Sequence, residues 1–208
     1  MSYHFHYTQR GNRDAPTVLF LHGFMGSSQD FERVISQLAD QFCCLAIDLP
    51  GHGKTQVQGK DEQYAMSETA KAVVDWLDQR DVSQCSLVGY SMGGRLALYL
   101  AIEFAERFPR TVLESASPGL KTEQERQTRL QHDRLLADRL EADFPAFLVH
   151  WYNQPLFQSL QQHAEFGHMQ WLRSQNRPHE LAKSLRYLST GQQPPLWNAL
   201  DHHRNPLL

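Results

Sequence analysis

Long apolar runs, an excess of positive charge and an even set of cysteines are all missing from this chain of 208 residues. No uninterrupted apolar stretch approaches the roughly 20 residues that span a bilayer, which argues against membrane insertion. The formal net charge is −3, so the broad basic footprint of a nucleic-acid-binding protein is absent, although individual arginines can still converge on a small anion. The opening residues, Met-Ser-Tyr-His-Phe-His-Tyr, hold no basic segment followed by an apolar run, and no secretory leader is expected. Cysteine occurs three times, at Cys43, Cys44 and Cys85. An odd count, with two neighbours on one apolar run, points to reduced core thiols in a cytoplasmic protein rather than to disulfides or a metal centre. No metal or cofactor is expected. Apolar residues still make up 41% of the chain, enough for one domain with a substantial core.

What is present follows a regular order. Tyr3 to Gln9 alternates weakly and reads as a first strand. A turn then leads into Thr17-Val18-Leu19-Phe20-Leu21, a continuous apolar run suited to a strand buried on both faces of a parallel sheet. Ser27 or Ser28 is placed to cap a helix with Phe31, Val34, Ile35 and Leu38 on its apolar face. Cys43 to Leu49 reads as the next strand, and a helix from Ser67 buries Ala70, Val73, Val74 and Leu77. Ser86-Leu87-Val88 is a further strand, followed by a helix that must stop before Pro109. Thr111 to Ala116 is one more strand. This alternation over residues 1–119 argues for a parallel α/β core. Residues 120–190 are helical and aromatic in pattern and read as an insertion lying over the sheet. Residues 191–208 return to the core, and Arg204-Asn205-Pro206-Leu207-Leu208 looks like the lead-in to another strand, so a chain truncated before its final strands is expected.

The chemistry gathers in three turns. Gly89-Tyr90-Ser91-Met92-Gly93 stands between a strand and a helix, where small flanking residues let the backbone bend sharply and lift a serine oxygen over the sheet edge. His22-Gly23-Phe24 and Pro50-Gly51-His52-Gly53 also follow strands, so all three turns fall on the edge where open α/β sheets bind ligands. The combination resembles the α/β-hydrolase fold, in which the backbone N–H groups of Phe24 and Met92 would form an oxyanion hole beside Ser91. Arg95 lies one helical turn after Ser91, so both can face one cavity. Spacing leaves its role open between a bidentate grip on a substrate carboxylate and a surface pair with Glu103 or Glu106. Of the eleven histidines, none is placed to serve Ser91. His22 and His52 belong to structural loops, and His132, His150, His163, His168 and His179 lie in the helical insertion. Asp201-His202-His203 reads as a polar loop.

A narrower resemblance covers essentially the whole chain. His22-Gly23-Phe24-Met25-Gly26, Asp48-Leu49-Pro50-Gly51-His52-Gly53 and Tyr90-Ser91-Met92-Gly93-Gly94-Arg95 are similar to motifs of the 2-succinyl-6-hydroxy-2,4-cyclohexadiene-1-carboxylate synthases of the menaquinone and phylloquinone pathways. So are Ser117-Pro118-Gly119-Leu120, Arg126-Gln127-Thr128-Arg129, Asp133-Arg134, the stretch from Trp151 to Phe157, and Leu172-Arg173-Ser174-Gln175-Asn176. The resemblance implies an α/β-hydrolase fold, a mostly parallel sheet flanked by helices with a helical lid, here lacking the last two strands. It implies a lyase that eliminates pyruvate from a small carboxylate substrate without consuming water. Ser91 would take the ring proton, Phe24 and Met92 would hold the oxyanion, and Arg95, Arg129 and Arg173 would bind carboxylates in a pocket lined by Tyr90 and Trp151. The family's acid and histidine have no counterparts in these residues, so this polypeptide alone is expected to be inactive. The strand from Thr111 to Ala116 is expected to present a bare apolar edge open to self-association. Two rival readings stand beside it: a carboxylesterase or C–C bond hydrolase with the same elbow, and a non-catalytic, degenerate α/β-hydrolase acting as a binding module.

Overall fold

In a computed structural model describing residues 2–208, five strands form one sheet in the order β2-β4-β3-β6-β7. They are β2 (Tyr7–Arg10), β3 (Thr17–Leu21), β4 (Cys43–Ile47), β6 (Ser86–Tyr90) and β7 (Thr111–Glu114). Strand β2 runs antiparallel to β4, and the remaining pairs are parallel. The expected single first strand is split. Residues Ser2–His4 form β1, which pairs with the short β5 (Gln56–Gln58) in a separate ribbon. The break falls at His6, whose carbonyl accepts the Asp48 amide at 2.8 Å while its own amide donates to Thr55 Oγ1 at 2.9 Å.

The central strands carry the sequence signature of two-sided burial. Leu19, Phe20 and Leu21 on β3 and all five residues of β4 are buried, as are the unpaired thiols of Cys43, Cys44 and Cys85. Each such aliphatic side chain contributes roughly 1.5–3 kcal/mol when withdrawn from water. One face is covered by α2 (Met66–Asp78), which buries Met66, Ala70, Val73, Val74 and Leu77 at helical spacing, and by α3 (Met92–Glu103). The other is covered by α1 (Glu32–Leu38), through Ile35 with Phe31 and Leu38 partly buried. Val34 was expected on that apolar face but is 47% exposed. A 3-10 turn at Ser28–Phe31, capped by Ser27 in a capping box with Asp30, precedes the helix and sets its apolar face to one side of Val34.

Residues 120–190 contain no strand. The helices α4 (Glu123–Ala142), α5 (Phe144–Tyr152), α6 (Gln158–Gln161), α7 (Phe166–Ser174) and α8 (Pro178–Tyr187) form a layer with its own apolar cluster of Ala137, Leu140, Phe144, Phe147, Leu148, Leu181 and Leu185. Thr122 and Glu125 cap α4 reciprocally, and Asp143 stops it while capping α5 with Pro145 in the first turn. Met25, from the loop after β3, completes the layer's cluster from below. Beyond the layer, α9 (Trp197–Leu200) returns the chain to the sheet.

The edge at β7 corrects one expectation. Residues 206–208 lie parallel beside it: Thr111 donates to the Pro206 carbonyl at 3.1 Å, Leu208 to Thr111 at 3.0 Å, and Leu113 to Leu208 at 2.8 Å. Asn205 anchors this segment by donating to the carbonyls of Ala105 and Phe108. The edge is therefore paired along much of its length, with Thr111 buried and Val112 exposed. Among the described residues, no helix is long and apolar enough to cross a membrane.

Register brings the turns together. Leu21 stands abreast of Ile47 on one side and Gly89 on the other, so the segments after β3, β4 and β6 leave the sheet at one edge. Gly93 locks two of them: a Cβ there would stand 2.2 Å from the Leu21 carbonyl oxygen and 2.5 Å from that of His22. Gly93→Ala should therefore cost at least about 3 kcal/mol of stability, within the range of severe steric substitutions. Thermal or denaturant unfolding measures it, and a loss under about 1 kcal/mol would show that the contact can relax.

Candidate active site

Ser91 sits at the bend between β6 and α3 with φ 52° and ψ −111°, a conformation that costs a non-glycine residue energy and recurs at functional turns. The turn is held from both sides: the Ser91 amide donates to Glu114 on β7 at 2.8 Å, and its carbonyl accepts Arg95 N–H at 2.9 Å. A Cβ on Gly89 would meet the Cβ of Ala97 and the Gly93 carbonyl, each at 2.7 Å, so strand and helix can approach only because position 89 is bare. Among the described residues, the Ser91 hydroxyl has no hydrogen-bond partner, and no imidazole or carboxylate reaches it.

The loop after β3 closes on the serine. A Cβ built on Gly23 would stand 3.5 Å from that of Ser91 and 2.8 Å from the Tyr90 ring. His22 is fully buried and braces the loop. Its Nδ1 lies 2.8 Å from the Gly23 carbonyl, and its Nε2 accepts the Leu49 amide at 2.9 Å, which requires a neutral ring protonated on Nδ1. His52 packs edge-on against both His22 and Phe24, at 5.1 and 5.7 Å between ring centroids. Asp48 ties the third turn in: it accepts from Ser28 N–H at 2.7 Å and Lys54 N–H at 2.9 Å, and stands 2.9 Å from His6 Nδ1. The Met92 amide belongs to the first turn of α3, where helix geometry provides no internal acceptor. Among the described residues, the Phe24 amide also donates to no protein group. Neither of the two expected oxyanion donors is thus engaged by a protein acceptor among the described residues.

The helical layer roofs this edge. Trp151 lies 5.5 Å from the Phe24 ring and stacks on Phe147 at 5.6 Å. Tyr90 is exposed beside Ser91. Asn176 donates to Met25 carbonyl at 2.9 Å and accepts Gly53 N–H at 3.0 Å, Arg177 donates to Thr55 carbonyl at 2.7 Å, and Tyr64 donates to Glu180. These bonds register the layer on the very loops that carry the site.

The three arginines differ in their surroundings. Arg95, half-buried, donates through Nη2 to the Leu188 carbonyl at 2.8 Å and through Nη1 to Gln193 Oε1 at 3.2 Å. The surface pair with Glu103 or Glu106 is not formed. Burial pulls its guanidinium down to about 10; Arg129 adds to this and Asp133 opposes it. Arg129 donates from Nε to the buried Asp133 at 2.8 Å, while Asp133 takes its other bond from Ser189 at 2.7 Å. Arg173 is engaged differently from the expectation. Both of its Nη groups donate to Asp30, each at 2.8 Å, clamping α7 to the loop after β3. Burial lowers the basicity of Arg173, but the bonds and charge of Asp30, with Tyr152, leave it raised overall. Gln193 and Asp30 meet their arginines across the fold and carry no local sequence signal for the pairing, whereas Asp133 stands four residues after Arg129 on one helix, a spacing the sequence does show.

Burial holds His22 below its usual value of 6.5 and His52 well below it. The unfolded chain binds protons on these rings below about pH 6.5, whereas the folded chain does so only at lower pH. Stability is therefore complete above that pH and is lost as the pH falls through it, by at most about 1.4 kcal/mol per pH unit for each ring. The melting temperature should drop between pH 7.5 and pH 5.5, and His52→Asn should flatten the slope. A profile level over that interval would contradict the assignment.

Comparison with known proteins agrees with this geometry. A family model for the alpha/beta hydrolase fold matches residues 16–201. The 2-succinyl-6-hydroxy-2,4-cyclohexadiene-1-carboxylate synthase of Enterobacter sp. (strain 638) is 36% identical over 207 residues, covering 96% of this chain and 76% of its own. The chloroplastic protein PHYLLO of Arabidopsis thaliana is 32% identical over 91% of this chain, which spans only 12% of that much longer protein. Among solved structures, MenH from S. aureus superposes with a TM-score of 0.88 at 34% identity, covering 99% of this chain and 77% of that one. Strand order, elbow, helical roof and these relatives agree: the chain belongs to the α/β-hydrolase fold family and, within it, to the 2-succinyl-6-hydroxy-2,4-cyclohexadiene-1-carboxylate synthases.

Proposed function

We propose that this chain carries the pyruvate-eliminating lyase site of menaquinone or phylloquinone biosynthesis. Its substrate would be 2-succinyl-5-enolpyruvyl-6-hydroxy-3-cyclohexene-1-carboxylate. The observation that carries the reading is Arg95, a half-buried cation one helical turn from Ser91 and free of any carboxylate partner among the described residues. A neutral ester offers such a cation no counter-charge, whereas this substrate has three carboxylates. The names of the relatives point to the same chemistry.

The reaction follows from the bonds that differ between substrate and product. Removing the ring proton beside the succinyl ketone places negative charge on the ketone oxygen. Collapse of that enolate forms the ring diene and breaks the carbon–oxygen bond to the enolpyruvyl group, which leaves and takes up a proton as pyruvate. Ser91 takes the ring proton. The amides of Phe24 and Met92 receive the oxyanion, a role in which losing one donor costs about 2.7–4 kcal/mol in the transition state. Arg95 and Arg129 hold carboxylates, and Trp151 and Tyr90 exclude water from the ring. Arg173 contributes by holding the roof on Asp30. The same reading divides the chain into a core (1–119), a lid (120–190) and a return to the core (191–208), in a cytoplasmic enzyme whose buried thiols stay reduced.

A serine hydroxyl without a histidine partner is a weak base. The 208-residue chain is therefore expected to bind ligand without turning substrate over. Pyruvate release, followed with a coupled dehydrogenase, should match that of Ser91→Ala; release by the unmodified chain that Ser91→Ala abolishes would show that a base is already in place. Ligand binding tests the clamp separately. Arg95→Ala should weaken 2-succinylbenzoate, an aromatic stand-in for the product, by roughly 30-fold or more in calorimetry. It should leave the dimethyl ester of that compound unaffected, and an equal loss on acid and ester would remove the carboxylate role.

A further inference from the structure

Arg95 is fixed by neutral acceptors. One is a backbone carbonyl, from Leu188, and the other is the side-chain oxygen of Gln193. Gln193 is itself buried, and its amide nitrogen donates to the Ser117 carbonyl at 2.9 Å. Its orientation is determined by its neighbours: a guanidinium only donates and a carbonyl only accepts, so the oxygen must face Arg95 and the nitrogen Ser117. The backbone at 193 is held as well, with its N–H donating to Ser189 carbonyl at 3.1 Å. The hydroxyl of Ser189 donates to Asp133, whose other oxygen takes Arg129. Both nearby carboxylate oxygens are thus engaged elsewhere, and Arg95 keeps its charge while losing its freedom to move.

A carboxylate of the same length at position 193 could reach the same guanidinium nitrogen. It would also cancel the charge that an incoming anion needs, and it would face the Ser117 carbonyl with a second acceptor. A shorter or apolar side chain would leave Arg95 charged but less firmly aimed. Glutamine meets both requirements.

We propose that Gln193 is a positioning residue for Arg95: it fixes the guanidinium one helical turn from Ser91 while leaving its charge uncompensated, and so sets the preference of the site for carboxylates over neutral ligands. This rests on the carboxylate-binding role of Arg95 proposed above.

The test measures binding of 2-succinylbenzoate and its dimethyl ester to the whole chain by calorimetry, for the wild type, Arg95→Ala, Gln193→Glu and Gln193→Met. Each variant is checked for folding by circular dichroism and thermal melting. Gln193→Glu should lower affinity for the acid by roughly tenfold or more and leave the ester within about twofold, so the acid-to-ester preference falls toward that of Arg95→Ala. Gln193→Met should weaken the acid by roughly threefold to tenfold, again sparing the ester. A purely structural glutamine would change acid and ester alike, and that result overturns the proposal. So does an unchanged preference in folded Gln193→Glu while Arg95→Ala loses it. If Gln193→Glu does not fold, Gln193→Met decides on the same criterion. If Arg95→Ala itself keeps the preference, the carboxylate role of Arg95 fails first, and the inference about Gln193 falls with it.

Discussion

The close approach of Gly93 to the backbone of β3 is the constraint on which the site depends. With no side chain at 93, the first turn of α3 sits directly against the carbonyls of Leu21 and His22. That contact brings the Met92 amide and the His22-Gly23-Phe24 loop to the same side of Ser91. Gly89 does the equivalent on the other flank, letting α3 return onto β6. The unusual backbone of Ser91 is a result of these two approaches: a chain that must turn from strand to helix within one residue, while packed on both neighbours, has few conformations left. Ser91 and the loop after β3 are therefore brought together by these close backbone approaches, and the His22 hydrogen bonds then hold the loop in place.

The charges follow a different logic, since each arginine of the site is restrained by a group of different kind. Arg173 meets a full carboxylate in a fork-to-fork pair, and its charge goes into holding α7 against the 3-10 turn before α1. Arg129 shares a buried Asp133 but offers that acid only its Nε, and the residue is partly exposed, so its terminal nitrogens stay available. Arg95 meets only neutral oxygens, and the structure bears the cost of half-burying an uncompensated cation. Its depressed basicity, toward about 10, expresses that cost; at neutral pH it remains protonated. An anionic ligand would relieve it. Graded neutralisation of this kind closes one sheet edge with ion pairs and still leaves the Arg95 charge uncompensated.

How much of this could be read from the sequence depended on the range over which each feature is determined. The elbow, the apolar strands and the helical character of residues 120–190 are local patterns, and the structure forms them where the residues predict. The partners of Arg95 are not local: Leu188 and Gln193 lie 93 and 98 residues away along the chain. Asp30 and Arg173 are separated by 143. Glutamine and aspartate at such positions look like ordinary solvated residues, and only the fold brings them to the guanidinium groups. Val34 was misplaced because a 3-10 turn ahead of α1 alters the phase that an ideal helix would keep. Nothing in the sequence marks the ribbon of β1 with β5, because three-residue strands without a buried side chain carry almost no periodicity.

His22 shows how burial, tautomer and chemistry are joined. The ring can brace the loop after β3 only in one state, since Nδ1 must donate to Gly23 while Nε2 accepts from Leu49. Protonation would turn Nε2 into a donor facing the Leu49 N–H, and the loop after β4 would be pushed away from the loop after β3. Burial disfavours that charged state and is the largest influence on the ring. His52, packed edge-on against the same ring and Phe24, is also fully buried and is held neutral for the same reason. The apolar packing around these histidines therefore does more than fill space: by keeping both rings neutral, it preserves the hydrogen-bond directions that tie the loop after β3 to the loop after β4.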